Sequence, residues 1–182
     1  MNSSIKIFDK ELISERLILR RIKLSDLDDI YEYTSNPLTT KFLFWKTHES
    51  KKLTLKFIND TLNEYDKSNS RYTWGITINE SEKLIGVISI FFISYLSKRV
   101  EISYILNPNY QGKGYMKEAL ISVQDFIFNE VNFVRIQAKC TEDNSASKKV
   151  MRSIGMVLEG KLRNYWFLKN EYKDVEFYAI IK

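Results

Sequence analysis

Two glycines one residue apart, Gly112 and Gly114, stand where a β-branched run gives way to an amphipathic one. Residues 107–120 read NPNYQGKGYMKEAL and directly follow VEISYIL at 100–106. A strand that ends in a Pro turn, crosses two glycines and starts a helix builds an anion site. The first N–H groups of a helix have no intrahelical partner, and the aligned peptide dipoles leave positive potential there, so a phosphate is held mainly by backbone. Lacking a Cβ, Gly112 and Gly114 let a pyrophosphate approach closely and permit positive φ. Two other phosphate loops do not fit. The P-loop requires Gly, four residues, then Gly-Lys-Ser/Thr, but Gly114 follows Lys113 and position 107 is Asn; the dinucleotide fingerprint fails because Lys117 stands in place of its third Gly.

Other groups with chemistry lie close to this loop in sequence or in the predicted order of elements. Glu101 alternates with Val100 and Ile102 in the strand that feeds the loop. A carboxylate among apolar residues costs solvation unless it is partnered, so Glu101 is either a proton acceptor or one half of an ion pair with Arg99, Arg163 or a nearby lysine. Asn144 and Ser147 open a predicted helix. Both suit an N-cap, and the Asn carboxamide also has the donor and acceptor that an amide-bearing ligand needs. Lys113 and Lys117 either add charge to a bound phosphate or stand in solvent. Cys140, in an apolar strand pattern, reads as a buried inert thiol in preference to a nucleophile. His48, among Thr47, Glu49 and Ser50, reads as a solvated residue ahead of a helix.

The elements that position these groups follow from periodicity. RLILRRI at 16–22 is a short β-rich run. SDLDDIYEYT at 25–34 begins a helix, with Ser25 and Asp28 spaced as a capping box. Leu53, Phe57, Leu62 and Tyr65 give a second helix within 48–66 one apolar face. Between the helices NPLTTKFLFWKT is aromatic and without period. From Tyr72 the pattern alternates, with Tyr72, Trp74, Ile76 and Ile78 on one face, then turns near 80–83 into LIGVISIFFI and VEISYIL, giving three antiparallel strands. After the glycine loop, Met116, Ala119, Leu120, Val123, Phe126, Ile127 and Val131 stripe a long helix. FVRIQAKC is a strand, 145–153 a short helix with Gly155 at C′, and 157–166 and 175–181 the last two strands around KNEYKD. The layer solution for this order is a mixed sheet with helices on both faces.

Composition narrows the class. At 182 residues with 44% hydrophobic residues, six Gly and two Pro, the chain is one globular domain, with disorder expected only in its first few residues. One cysteine excludes an internal disulfide, and one histidine argues against a zinc site, so no metal is expected. MNSSIKIFDK has no apolar signal region, and no run approaches the ~18 apolar residues of a membrane span; a cytoplasmic location and no membrane partner are the expectations. The net charge of +5 is dispersed along the chain and supports only weak steering toward anionic partners.

Six stretches then resemble one family in order along nearly the whole chain. They are SERLILR at 14–20, the strand with Glu101 and Tyr104, QGKGYM at 111–116, NSAS at 144–147 before IGM at 154–156, GKLRNYW at 160–166 and YKDVEFYAII at 172–181. QGKGYM resembles the acyl-CoA loop of the GNAT superfamily of N-acetyltransferases, with Met116 in its Gly/Ala place. The set resembles the branch that acetylates ribosomal-protein N-termini. The resemblance implies an N-terminal extension over 1–13 and an α/β, single-domain GNAT-like fold over 14–182. Its sheet is mixed and mostly antiparallel, of about seven strands, with the fourth and fifth splaying apart at the cofactor edge.

It also implies acetyl-CoA as co-substrate and direct attack by a primary amine, with no acyl-enzyme. Gln111, Gly112, Lys113, Gly114, Tyr115 and Met116 would bind the pyrophosphate, the Leu106 backbone amide would polarise the thioester, and Asn144 would contact the pantetheine arm. Met151 occupies the place of the usual tyrosine acid, leaving Ser147 as the hydroxyl near the departing sulfur or as a first-turn helix residue. Arg163 and Asp174 match scaffold positions in the tail. Phe42, Phe44, Trp45, Tyr165 and Trp166 are candidates for the acceptor pocket or for core. A protein N-terminal α-amine is the favoured acceptor. The alternatives are a small-molecule amine (polyamine, aminoglycoside or amino acid) and a non-catalytic acyl-CoA-binding module. Nucleic acid is not expected except through the ribosome, and a homodimer is a family-level expectation.

Overall fold

The computed structural model describes residues 6–67 and 71–182, so the first few residues, where disorder is expected, lie mostly outside it. Among the described residues eight strands and five α-helices follow in this order: β1 (Leu12–Ile13), β2 (Leu17–Arg20), α1 (Leu27–Thr34), α2 (Pro37–Thr40), α3 (Lys51–Lys67), β3 (Arg71–Ile78), β4 (Leu84–Ser94), β5 (Arg99–Leu106), α4 (Tyr115–Asp125), β6 (Arg135–Thr141), α5 (Ser145–Ser153), β7 (Val157–Leu168) and β8 (Glu171–Ile181). They form one sheet in the order β1-β2-β3-β4-β5-β6-β8-β7. Every neighbouring pair is antiparallel except β5 and β6, which are parallel because α4 carries the chain across between them.

β3 shows why helices must lie on both faces. Tyr72, Trp74 and Ile76 are buried on one side, and Thr73 and Thr77 are also buried on the other. α1 packs against α3, and α4 against α5. Trp74 is fully buried between Phe8, Tyr72 and Phe126, with ring centroids 4.7 to 6.2 Å away. Side chains of this size contribute roughly 1.5–3 kcal/mol each when removed from water. Phe8 and Leu12, in the stretch read from sequence as an extension, belong to this core, and β1 pairs with β2, which brings the strand count to eight.

The strands from β2 to β6 and α5 fall close to where the sequence places them, while the first two helices differ. A 3-10 turn over Leu24–Asp26 precedes α1, and its start is held by Asp26, whose carboxylate accepts from the Lys23 amide at 2.6 Å. Asp28 instead pairs with Lys51, so the expected Ser25–Asp28 box does not form. Asp26 also accepts from Arg20 in a nearly buried pair, which ties the end of β2 to the helix start. In α3 the buried face is Thr54, Ile58, Thr61 and Tyr65, whereas Leu53 is exposed. Threonine hydroxyls mask that stripe in sequence; Thr61 donates to the Phe57 carbonyl, and Thr54 bonds both Thr34 and His48. The aperiodic segment after α1 contains the single turn of α2, capped by the Asn36 side chain at the Leu38 amide.

Two further details shape the site. α4 ends in a π-helical turn over Phe126–Glu130, which keeps Phe126, Ile127 and Phe128 buried past its last α-helical residue. The final hairpin turns through Lys169 and Asn170, both with positive φ, so β7 and β8 are longer than expected.

Candidate active site

Parallel pairing of β5 with β6 lasts three residues, Arg99 with Arg135, Val100 with Ile136 and Glu101 with Gln137. Beyond that the strands part, and the edge of β5 from Ile102 to Leu106 has no strand partner on that side. These are β5 and β6, the fourth and fifth strands when the two-residue β1 is left out. A cavity of about 550 Å³ opens there, lined by Tyr104 to Leu106 at the strand end, the glycine loop, Asn144, Ser147 and Val150 of the α5 region, and Leu38 and Phe42 from the α2 region. An extended ligand carrying amides could continue the open edge of β5, since strand backbone groups left unpaired favour a new partner.

The glycine loop has the backbone form of an anion cradle and is held from behind. Gly112 has φ +77° and Gly114 φ +82°, and α4 starts at Tyr115 with no side chain capping its first amides. Gln111 donates to the Leu106 carbonyl at 3.2 Å. Asn107, buried at the end of β5, donates to Glu32 at 2.9 Å, and Asn109 donates to the same oxygen at 3.3 Å. The other oxygen of Glu32 takes Lys83 at 2.9 Å. These bonds, that from Lys83 first, hold the Glu32 carboxyl below the usual range.

On the other flank Arg16, from the SERLILR stretch, donates to the Lys113 carbonyl at 3.1 Å and to Glu118 at 2.7 Å. Glu118 also takes the Ser14 hydroxyl at 2.7 Å and the Arg16 amide at 2.8 Å. Burial alone would raise the Glu118 carboxyl, but these donors outweigh it and keep it low. Arg16→Ala should therefore loosen the loop and weaken binding of a pyrophosphate-bearing ligand about tenfold, the worth of one charge-assisted hydrogen bond, while the protein stays folded. Calorimetric titration checks this; unchanged affinity would make Arg16 a surface ion pair only.

Most of the loop residues chosen from sequence reach the cavity, Gln111, Gly112, Gly114, Tyr115 and Met116 among them, together with Leu106 and Asn144. Lys113 does not: its ammonium lies over the Tyr110 ring, 5.4 Å from the centroid, and Lys117 lines the cavity in its stead. Phe42 lines the cavity, but Trp45 packs on His48 at 4.9 Å and Tyr165 on Phe177 at 5.3 Å. Phe44 meets Trp166 at 4.8 Å, and Lys169 donates to the Trp45 carbonyl, so the segment after α2 and the last hairpin touch. His48 is half-buried and bonded to Thr54 at 2.8 Å, not solvated, and burial lowers its pKa. Asp174 accepts from the Asn164 amide at 2.9 Å inside the β7–β8 hairpin, in keeping with a scaffold position.

Asn144 caps α5, its side-chain oxygen accepting from the Ser147 amide at 3.1 Å, and it lines the cavity. Ser147 faces the cavity, and Met151 is fully buried behind it. Sequence reasoning gave no role to Tyr104, whose hydroxyl stands 2.8 Å from Ser147 Oγ. Its signal was present: period-2 alternation puts Tyr104 with Val100 and Ile102, on the face opposite Glu101. Cys140 is buried, and burial pushes its thiol up to about 11, so it stays neutral and inert.

Glu101 belongs to the last registered pair before the strands part, and it is not among the residues that line the cavity. It accepts from Lys139 at 3.0 Å and from Gln137 at 3.3 Å. Neither Arg99 nor Arg163 is the partner in that pair. The Lys139 ammonium also lies 5.9 Å from the Trp166 ring and 5.7 Å from that of Phe177. Among the described residues no group of three or more His, Cys, Asp and Glu could hold a metal ion, and no helix is long and apolar enough to cross a membrane.

An anion cradle, an open strand edge and a hydroxyl beside it describe a site for a long phosphorylated ligand with amides along its arm. Comparison with known proteins agrees. The acetyltransferase (GNAT) domain profile matches residues 16–157. The uncharacterized N-acetyltransferase YnaD of Bacillus subtilis (strain 168) is 32% identical over 175 residues, 94% of this chain and 96% of that one. A ribosomal-protein-serine acetyltransferase of Escherichia coli (strain K12) is 38% identical over 104 residues, 57% and 58% of the two chains. A spermidine N(1)-acetyltransferase of Vibrio cholerae is 24% identical over 170 residues, 93% and 95%. Among solved structures, a ribosomal alpha-N-protein acetyltransferase in complex with coenzyme A superposes with a TM-score of 0.81 at 25% identity, covering 94% of this chain and 98% of the other.

Proposed function

The chain belongs to the GNAT acetyltransferase family and is an acetyl-CoA-dependent N-acetyltransferase, and from that premise we propose that its acceptor is the N-terminal α-amine of a protein, such as a ribosomal one. In this reading the pyrophosphate sits on the amides of Gly112 to Met116, the pantetheine arm runs along the open edge of β5 past Asn144, and the thioester reaches the apex near Glu101, where the strands part. The amine attacks the thioester carbonyl directly. The Leu106 amide faces the developing oxyanion, where a preorganised donor acts chiefly in the transition state. Glu101, directly or through one water, takes the proton that the amine must lose.

The single observation that carries the choice of acceptor is Lys139 on Glu101. A cation at the apex repels an acceptor with several ammonium groups more than one with a single amine. An α-amine has a pKa of only ~8 and is partly neutral at pH 7, so it asks less of Glu101 as a base than a polyamine does. The full-length likeness to the spermidine enzyme keeps the polyamine as the second reading.

Release of free thiol from acetyl-CoA, assayed against N-terminal peptides, ribosomes, spermidine and other small amines, separates the two. Turnover is expected with peptides that begin in Ser or Ala; turnover with spermidine and none with peptides would overturn the reading. In the same assay Ser147→Ala should lower kcat about tenfold and leave acetyl-CoA affinity nearly unchanged, because a bond to the leaving sulfur strengthens mainly in the transition state. An unaltered kcat would remove Ser147 from the chemistry.

A further inference from the structure

Ser147 can assist the departing sulfur only if its one hydroxyl proton points into the cavity, and a hydroxyl rotates to whichever acceptor suits it. Two arrangements of the neighbouring tyrosine decide the matter. The Tyr104 hydroxyl lies 2.8 Å from Ser147 Oγ and 3.2 Å from the Ser147 carbonyl oxygen. Were Tyr104 to donate to the carbonyl, the serine proton could turn to the tyrosine oxygen and be lost to the cavity. With Tyr104 donating to Oγ, that proton has no use for the tyrosine and turns either to the ligand or to the Cys140 sulfur, the other side-chain partner of Ser147.

Three features favour the second arrangement. The contact with Oγ is the shorter of the two. The Ser147 carbonyl lies in the first turn of α5, where the helix already supplies it with an N–H from the next turn. Burial, the largest influence on Tyr104, raises its pKa well above the ordinary phenol range, so at neutral pH it always has a proton to donate. The ring itself is anchored by its strand: Tyr104 shares a face of β5 with Val100 and Ile102, both in the core, and packs against that core.

We infer that Tyr104 is a positioning residue, which donates to Ser147 Oγ and so aims the serine proton at the sulfur of the leaving group. The inference rests on the acetyl-transfer reading and on the place of Ser147 in it. Neither hydroxyl changes protonation state over the cycle. As the amide bond forms and the C–S bond breaks, the ammonium gives up two protons; one ends on the sulfur and one in solvent. The serine only hydrogen-bonds the charge that builds on sulfur, and a serine oxygen that accepts from Tyr104 is a stronger donor in turn. This also accounts for a chain that has Met151 in the tyrosine place of α5: the phenol that governs the leaving group comes from the strand.

A double-mutant cycle tests this with Tyr104→Phe and Ser147→Ala, singly and together, in the full chain. Tyr104→Phe is expected to lower kcat five- to tenfold with acetyl-CoA Kd within twofold of wild type. Added to Ser147→Ala it should produce no further loss beyond twofold. An equal loss in both backgrounds would show that Tyr104 acts on its own, and no loss in the single variant would overturn the inference outright. If Ser147→Ala is itself silent, the assignment of the serine falls first and the inference with it; if no amine is acetylated by the wild type, the acetyl-transfer reading fails instead. Thermal melting verifies that each variant folds. Tyr104→Leu, which fills the same wall without a hydroxyl, replaces the Phe variant should that not fold, with the same expected kinetics.

Discussion

Gly114→Val is expected to weaken acetyl-CoA binding at least 100-fold in a protein that still folds. Read from sequence, the cost of Val at this position is a few tenths of a kcal/mol of helix propensity. The backbone makes it larger: Gly114 precedes the first residue of α4 with φ +82° and ψ −3°, in the left-handed region. A β-branched residue is an outlier there and costs ~1–2 kcal/mol or more. The new Cβ would also meet Arg16 at 3.4 Å, at the clamp that holds the loop. In a chain of this size such a loss lowers Tm by roughly 5 °C and does not unfold the domain. Binding suffers more. The side chain occupies the approach to the amides, and two charge-assisted hydrogen bonds to phosphate, at about 1.5–3 kcal/mol each, amount to a factor of 100 or more. Gly160→Val is the control, since Gly160 has open space around its Cβ position. Calorimetric titration of both variants decides the point. Affinity of Gly114→Val within threefold of wild type would mean that the loop is a turn and nothing else.

Glu101→Gln should depress kcat by roughly 100-fold at neutral pH without moving acetyl-CoA affinity. Gln keeps the shape and can still face Gln137, but it cannot take a proton. The change also breaks the ion pair with Lys139, so the structural cost has to be separated from the chemical one. The two side chains are 19% and 24% exposed, and partly solvated pairs of this kind contribute on the order of 1 kcal/mol. That shifts Tm by a few degrees and has no means of slowing a bound complex a hundredfold. A pH series separates the two effects further. As pH rises past the ~8 of an α-amine, the free acceptor no longer needs a base, and the deficit of the Gln variant should shrink. A structural defect would persist at every pH. Wild-type kcat in the variant at pH 7 would leave Glu101 as the partner of Lys139 only.

Local pattern accounts for what could be read in advance. Alternation marks β3, β4 and β5, the Asn144 cap and the glycine at 155 bracket α5, and the paired glycines announce the anion loop, because each of these signals spans a few neighbouring residues. The same locality explains the misreadings. α2 is four residues long, too short to show a period. Leu53 outranks Thr54 on any hydropathy scale, yet Thr54 is buried, since its hydroxyl finds Thr34 and His48 across the α1–α3 contact. Asp26 and Ser25 are both good cap residues, and Arg20, six positions away, selects Asp26.

By itself, then, the sequence of this protein determined the order of the longer elements, the family and the two-glycine turn that starts α4, all of which rest on contiguous residues and short-range backbone geometry. Only the tertiary structure decided which side chains share the cavity. Tyr104 and Ser147 are 43 residues apart and meet because β5 and β6 part, bringing the start of α5 against the strand end. Arg16 reaches Lys113 and Glu118 across about a hundred residues, and Lys139 finds Glu101 from the neighbouring strand. Contacts like these depend on sheet order and strand register, which long-range packing selects from among many arrangements that the same local patterns would allow.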